Sequence, residues 1–137
     1  MSVTPNRTIL IAEDEPFLNR SLCEVFTLAG FQAIAATDGE QALNLALAQK
    51  PDVIILDILM PKLDGVAVLQ RLRQDIWGKS ALIVILTNLT ADTNLLQALA
   101  ANPPSYFFYK NDMNPEQAVN KVSEILAQSE QLKAGLV

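Results

Sequence analysis

The chain has 137 residues, half of them hydrophobic, which fits one domain with a substantial core. Its formal net charge of −5 argues against a nucleic-acid or anionic-membrane surface, and no basic run interleaved with aromatics occurs. No histidine is present, which excludes the usual zinc sites and Ser-His triads, and the single cysteine, Cys23, cannot form an internal disulfide. A reducing cytoplasm is therefore the expected compartment. The first residues carry no signal-type apolar stretch, and no run approaches the roughly 20 apolar residues of a spanning helix.

Short apolar runs alternate with longer stretches of helical period. Thr8 to Ala12 reads as a strand. Pro16 suits the first turn of a helix, and Leu18, Leu22, Val25, Phe26 and Ala29 recur at helical spacing until Gly30. Phe31 to Ala36 is a second strand. Thr37-Asp38-Gly39-Glu40 has the spacing of a capping box and opens a helix that Pro51 ends. Val53 to Leu56 is a third strand, fully apolar, and it stops at an aspartate, Asp57. Asp64-Gly65 starts the third helix, with Val68, Leu69 and Leu72 on one side. Ala81 to Leu86 is the fourth strand. Thr90 is placed to cap a helix containing Leu95, Leu96 and Leu99, which Asn102-Pro103-Pro104 breaks. Tyr106 to Tyr109 is the fifth strand and Pro115 to Ala127 the fifth helix. From Gln128 the apolar pattern fades, so residues 1–128 read as one domain and 129–137 as a tail.

Five strand–helix units in strict alternation indicate an α/β fold with a doubly wound parallel sheet and helices on both faces. The unbroken apolar strands agree, because central parallel strands are buried on both sides. Ligands of such sheets bind beyond the carboxyl ends of the strands. There the sequence places Glu13, Asp14 and Glu15 after the first strand, Asp57 after the third, Thr87 after the fourth and Lys110 after the fifth. Each has an ordinary explanation alone: acids complement a helix start, and a lone lysine is usually solvated. Together they form a charged edge. Two carboxylates about 4 Å apart repel by roughly 4 kcal/mol at an effective dielectric near 20, so Asp14 and Asp57 require a cation. An all-oxygen site without His or Cys suits Mg²⁺. Metal, ammonium and hydroxyl around one aspartate create a place for phosphoryl oxygens, and the aspartate can be the nucleophile.

Glu13-Asp14-Glu15, the stretch from Leu56-Asp57 through Met60-Pro61 to Asp64-Gly65, Leu86-Thr87 and Tyr109-Lys110 resemble the receiver domain of two-component response regulators, from about Arg7 to Ala127. The resemblance implies the flavodoxin-like strand order 2-1-3-4-5. It implies that Asp57 accepts a phosphoryl group from the phosphohistidine of a sensor histidine kinase or a phosphotransfer protein, in a Mg²⁺-dependent reaction. By it Asp14, Asp57 and the Leu59 main-chain carbonyl hold the metal, with Glu13 acting through a water. Thr87, Lys110 and the residue at position 88, here Asn88, meet the phosphoryl group, and Thr87 and Phe107 form the switch. The chain is then a signalling receiver that catalyses only its own phosphorylation and dephosphorylation. Its output face is built by the fourth helix, fifth strand and fifth helix, where a homodimer or an unidentified downstream protein binds; neither nucleic acid nor membrane is expected. The sequence departs from the family at Asn111, where a proline is usual, and at Asn88, where a small residue is usual. These departures support an alternative, a receiver-like protein-binding module that works without phosphorylation. A flavin-binding flavodoxin is excluded because the Glu13-Asp14-Glu15 acids would repel its phosphate. A haloacid-dehalogenase-type phosphatase is excluded because Leu59 stands where a second aspartate is needed.

Overall fold

The computed structural model describes residues 7–90 and 93–133. In chain order the elements are β1 (Thr8–Ala12), α1 (Pro16–Leu28), β2 (Gln32–Ala36), α2 (Gly39–Gln49), β3 (Val53–Leu56), α3 (Gly65–Gln74), β4 (Ile83–Thr87), α4 (Thr93–Ala101), β5 (Tyr106–Tyr109) and α5 (Pro115–Lys133). The strands form one parallel sheet in the order β2-β1-β3-β4-β5, as expected.

Why the strands read as unbroken apolar runs is visible in the two cores. Leu10, Ile54, Leu56, Ile83 and Ile85 point to one face, against Ala42, Ala46, Val68, Leu69, Leu72, Leu95 and Leu99 of α2, α3 and α4. Ile9, Ile11, Val53, Ile55, Val84 and Leu86 point to the other, against Leu22 and Phe26 of α1 and Ala118, Val122 and Leu126 of α5. Alternate residues serve alternate layers, and both layers are built of buried apolar side chains. Fully burying one such side chain is worth about 1.5–3 kcal/mol, so the interleaved strands dominate the stability of the fold.

Several boundaries differ from the expectation for local physical reasons. The cap of α2 is Asp38, not Thr37. The Asp38 carboxylate accepts from Gln41 N (2.8 Å), and Gln41 Oε1 accepts from Thr37 N (2.9 Å), so the reciprocal pair is shifted one residue along the chain. The helix α5 continues to Lys133, six residues beyond Ala127. The apolar period fades there because no core lies beneath, Leu132 being 65% exposed, whereas Gln, Glu, Leu and Lys all favour helix. Glu130 in this extension pairs with Arg7 at the start of β1. The strands β2 and β4 begin at Gln32 and Ile83, later than expected by one and two residues respectively. Residues 91–92 fall outside the described ones, so a cap by Thr90 lies outside them as well. After β5, Lys110–Asp112 forms a 3-10 turn with a trans peptide at Asn111.

Candidate functional site: an acidic pocket at the carboxyl edge of the sheet

The parallel ladder delivers the side chains. Ala12 is paired with Leu56, so the next residues, Glu13 and Asp57, emerge side by side. Asp57 N donates to Ala12 O and Glu13 N to Ala36 O, both at 3.0 Å, which carries the ladder one residue past the strands. Thr87 is paired with Tyr109, and Lys110 follows. Asp57 is then held from behind by α3, where Gly65 N donates to Ile58 O (2.8 Å) and a Cβ at Gly65 would overlap the Asp57 carbonyl. No other residue type lets the helix start so close.

Glu13, Asp14 and Asp57 offer carboxylate oxygens that all lie within 4.8 Å of one another. At that distance a pair of charges repels by about 3.5 kcal/mol at an effective dielectric of 20. Glu13 and Asp57 are buried, whereas Asp14 is exposed. Lys110 stands between the two buried acids: Nζ lies 2.6 Å from Glu13 Oε1 and donates to Asp57 Oδ2 at 2.8 Å. Glu13 Oε2 also accepts from Glu15 N (3.0 Å). Burial pushes the Glu13 carboxyl above its ordinary range, and the hydrogen bond from Lys110 offsets part of the rise. Burial pulls the Lys110 ammonium down, but its bonds to Asp57 and Glu13 outweigh that and leave it raised. One ammonium thus serves two carboxylates of a three-carboxylate cluster, and among the described residues Asp57 Oδ1, which is buried, has no hydrogen-bond partner. An orphaned carboxylate oxygen is costly and calls for a charged partner.

The structure brings Glu13, Asp14, Asp57 and Lys110 together as the sequence led us to expect. Thr87 is fully buried, and its Oγ1 accepts from Leu89 N (3.2 Å). Phe107 is half-buried, packed on the core layer of α2, α3 and α4 and edge-on to Tyr109 (ring centres 5.2 Å, 76°). Asn88 and Leu59 are exposed.

Sequence reasoning missed Asn19. Its buried Nδ2 donates to Glu13 O (2.9 Å) and Ala36 O (3.0 Å), and at 3.4 Å to Ile11 O, tying α1 to the ends of β1 and β2. A signal was present: Asn19, Leu22 and Phe26 share one helical stripe, and a polar residue on a core stripe must have partners. The pairing of Lys110 with Glu13 was missed too, because Glu13 was read only as a residue acting through water.

A doubly wound sheet of order 2-1-3-4-5 with acids, threonine and lysine at its carboxyl edge defines a receiver, a class of signalling domain. The chain belongs to the response regulator receiver domain family, which it matches over residues 9–123. Among its relatives is the alkaline phosphatase synthesis transcriptional regulatory protein PhoP of Bacillus subtilis. That protein is 32% identical over 125 residues, covering 91% of this chain and 50% of the relative. The transcriptional regulatory protein PdtaR of Mycobacterium tuberculosis is 33% identical over 127 residues, covering 88% and 60%. The chain spans about half the length of the curated relatives it matches. Among solved structures, the chemotaxis response regulator CheY4 of Vibrio cholerae superposes with a TM-score of 0.78 at 25% identity, covering 88% of this chain and 98% of that one. A receiver domain protein of Methanospirillum hungatei shares the fold at a TM-score of 0.82 and 17% identity, covering 92% and 98%. Among the described residues, no helix is long and apolar enough to cross a membrane.

Proposed function

We propose that Asp57 is the phosphoacceptor of this receiver. The observation that carries the reading is its asymmetric carboxylate: Oδ2 is held by Lys110 while Oδ1 is buried and has no partner among the described residues. The donor set fits a hard divalent cation, three carboxylates with no thiol or imidazole near, and Mg²⁺ is the natural choice. Asp14, Asp57 and the Leu59 carbonyl would hold it, with Glu13 acting through a water. When bound, it neutralises phosphoryl oxygens and lowers the repulsion that the acids present to an anionic donor.

The chain's own residues do the rest. An Asp57 oxygen attacks phosphorus in line, an acyl phosphate bond forms, and the bond to the donor breaks. With phosphohistidine as donor, the electron pair of the P–N bond returns to the imidazole. Lys110 is already beside Asp57 and can pair with a phosphoryl oxygen without travelling. Thr87 would turn inward and donate its hydroxyl proton to a phosphoryl oxygen; because its Oγ1 accepts from Leu89 N, that turn pulls on the loop after β4. Asn88 borders the phosphoryl group from the same loop. Phe107 would follow Thr87 inward, altering the face of α4, β5 and α5 that a second copy or a downstream protein reads. The donor is a sensor histidine kinase or a phosphotransfer protein, and the setting is the cytoplasm. The chemistry assigned to this receiver is its own phosphorylation and dephosphorylation.

Incubation with acetyl phosphate and Mg²⁺ tests the reading by intact mass. The chain should gain one phosphoryl group, and Asp57→Asn should gain none. Failure of the unaltered chain to be modified would leave the phosphorylation-independent binding module as the better account.

A further inference from the structure

The loop joining β3 to α3 carries both Asp57 and Leu59, and its crest is a tight turn. Lys62 has φ +69°, and Leu63 N donates to Pro61 O at 2.7 Å, closing three residues on themselves. A residue with a Cβ is strained in such a turn and stays there only when its surroundings over-determine it. The surroundings are the start of α2. Gly39 N donates to the same Pro61 O at 3.2 Å. A Cβ at Gly39 would overlap the Leu63 carbonyl and come within 2.7 Å of the Leu63 Cβ. The Asp38 carboxylate, buried and capping α2, lies 3.8 Å from Lys62 Nζ. The contact is thus backbone on backbone, and it exists because position 39 has no side chain.

We infer that Gly39 is a positioning residue for the phosphoryl site: it seats the crest of the β3–α3 loop and so fixes the Leu59 carbonyl relative to Asp57. The inference rests on the proposed roles of Asp57 and Leu59. Displacement at Leu63 has little chain in which to dissipate before Leu59, and one residue of that chain, Pro61, has its φ locked. The other end of the loop is pinned by Gly65 against the Asp57 carbonyl. A push at the crest is therefore passed to the segment between the two anchors.

A matched control exists in the same molecule. A Cβ at Gly78 would also overlap a carbonyl, that of Leu72, somewhat less closely than one at Gly39 would overlap that of Leu63, but Gly78 precedes β4 and lies at the opposite edge of the sheet from Asp57. In the full chain, Gly39→Ala and Gly78→Ala are compared by urea midpoint, by Mg²⁺ affinity from calorimetry and by amide exchange over residues 58–63. Both should lose stability. Only Gly39→Ala should weaken Mg²⁺ by about fivefold or more and speed exchange in the loop, with Gly78→Ala staying within about twofold of the unaltered affinity. Unchanged Mg²⁺ affinity in Gly39→Ala, or equal losses in both variants, would overturn the inference. Absence of Mg²⁺ binding by the unaltered chain would instead overturn the metal reading beneath it, and the inference with it. Should Gly39→Ala fail to fold, Lys62→Gly replaces it. That change adds no atom and removes a cation, so electrostatics alone would tighten Mg²⁺ binding. Weaker binding supports a positioned crest, and equal or tighter binding refutes it.

Discussion

Replacing Lys110 by methionine keeps most of the side-chain volume and removes the one ammonium shared by two buried acids. In the folded protein the Glu13 and Asp57 side chains are 3% and 5% exposed, so neither can recover its lost partner from bulk water. Removing one partner of a buried ion pair typically costs about 3–5 kcal/mol. The low end applies here, because Lys110 itself is 15% exposed and the exposed Asp14 opens the pocket to solvent on one side. We predict that Lys110→Met lowers the unfolding free energy by about 3 kcal/mol in metal-free neutral buffer. For a chain of this size that is a fall of roughly 10 °C in melting temperature. A divalent cation supplies the missing charge and should bind the variant more tightly than the unaltered chain, each tenfold gain in affinity offsetting about 1.4 kcal/mol of the deficit at saturating Mg²⁺. The deficit should therefore shrink on adding Mg²⁺. It should also shrink on acidification. The Glu13 carboxyl is raised in the folded protein by burial, and losing Lys110 raises it further. A carboxyl with a raised folded pKa destabilises above that pKa, and its penalty vanishes as pH falls through it. Urea unfolding followed by circular dichroism, with and without Mg²⁺, measures all three quantities. A deficit below about 1 kcal/mol, or one that neither Mg²⁺ nor acid reduces, would refute the electrostatic account of the pocket.

Asn19→Leu should destabilise by about 2–4 kcal/mol, because two close carbonyl acceptors, Glu13 O and Ala36 O, lose a buried donor; a change below 1 kcal/mol in urea unfolding would show that water replaces it. Asp14→Ala should weaken Mg²⁺ in calorimetry far more than Glu13→Gln, since Asp14 is exposed and available while Glu13 is engaged by Lys110; equal losses would undo the ligand assignment. Beryllofluoride, a mimic of the phosphoryl group, should speed amide exchange at Leu89 or alter sedimentation through α4, β5 and α5, because an inward turn of Thr87 draws its Oγ1 away from Leu89 N. No response with the site demonstrably occupied would remove that face from the output role.

The architecture was legible because each strand is short, largely apolar or aromatic and bracketed by helix signals, from Thr8–Ala12 to Tyr106–Tyr109. The charged edge was legible for the same reason: once strand ends are known, parallel topology alone gathers Glu13, Asp57 and Lys110. What the sequence concealed were contacts with no periodic signature. Asn19 gives itself away only as a polar residue on an apolar stripe. Gly39 reads as part of a capping pattern, whereas its absent side chain is filled by a loop 24 residues further along. The last turns of α5 escaped notice because their helix rests on propensity rather than on a buried face.

The most direct test of the account locates the phosphoryl bond itself. Borohydride reduces an acyl phosphate on aspartate to the alcohol, leaving homoserine at the modified position. Protein treated with acetyl phosphate and Mg²⁺, trapped in this way and digested, should carry homoserine at position 57 and at no other. Homoserine at position 14 or 64, or none after demonstrated phosphoryl uptake, would contradict the claim that Asp57 is the acceptor.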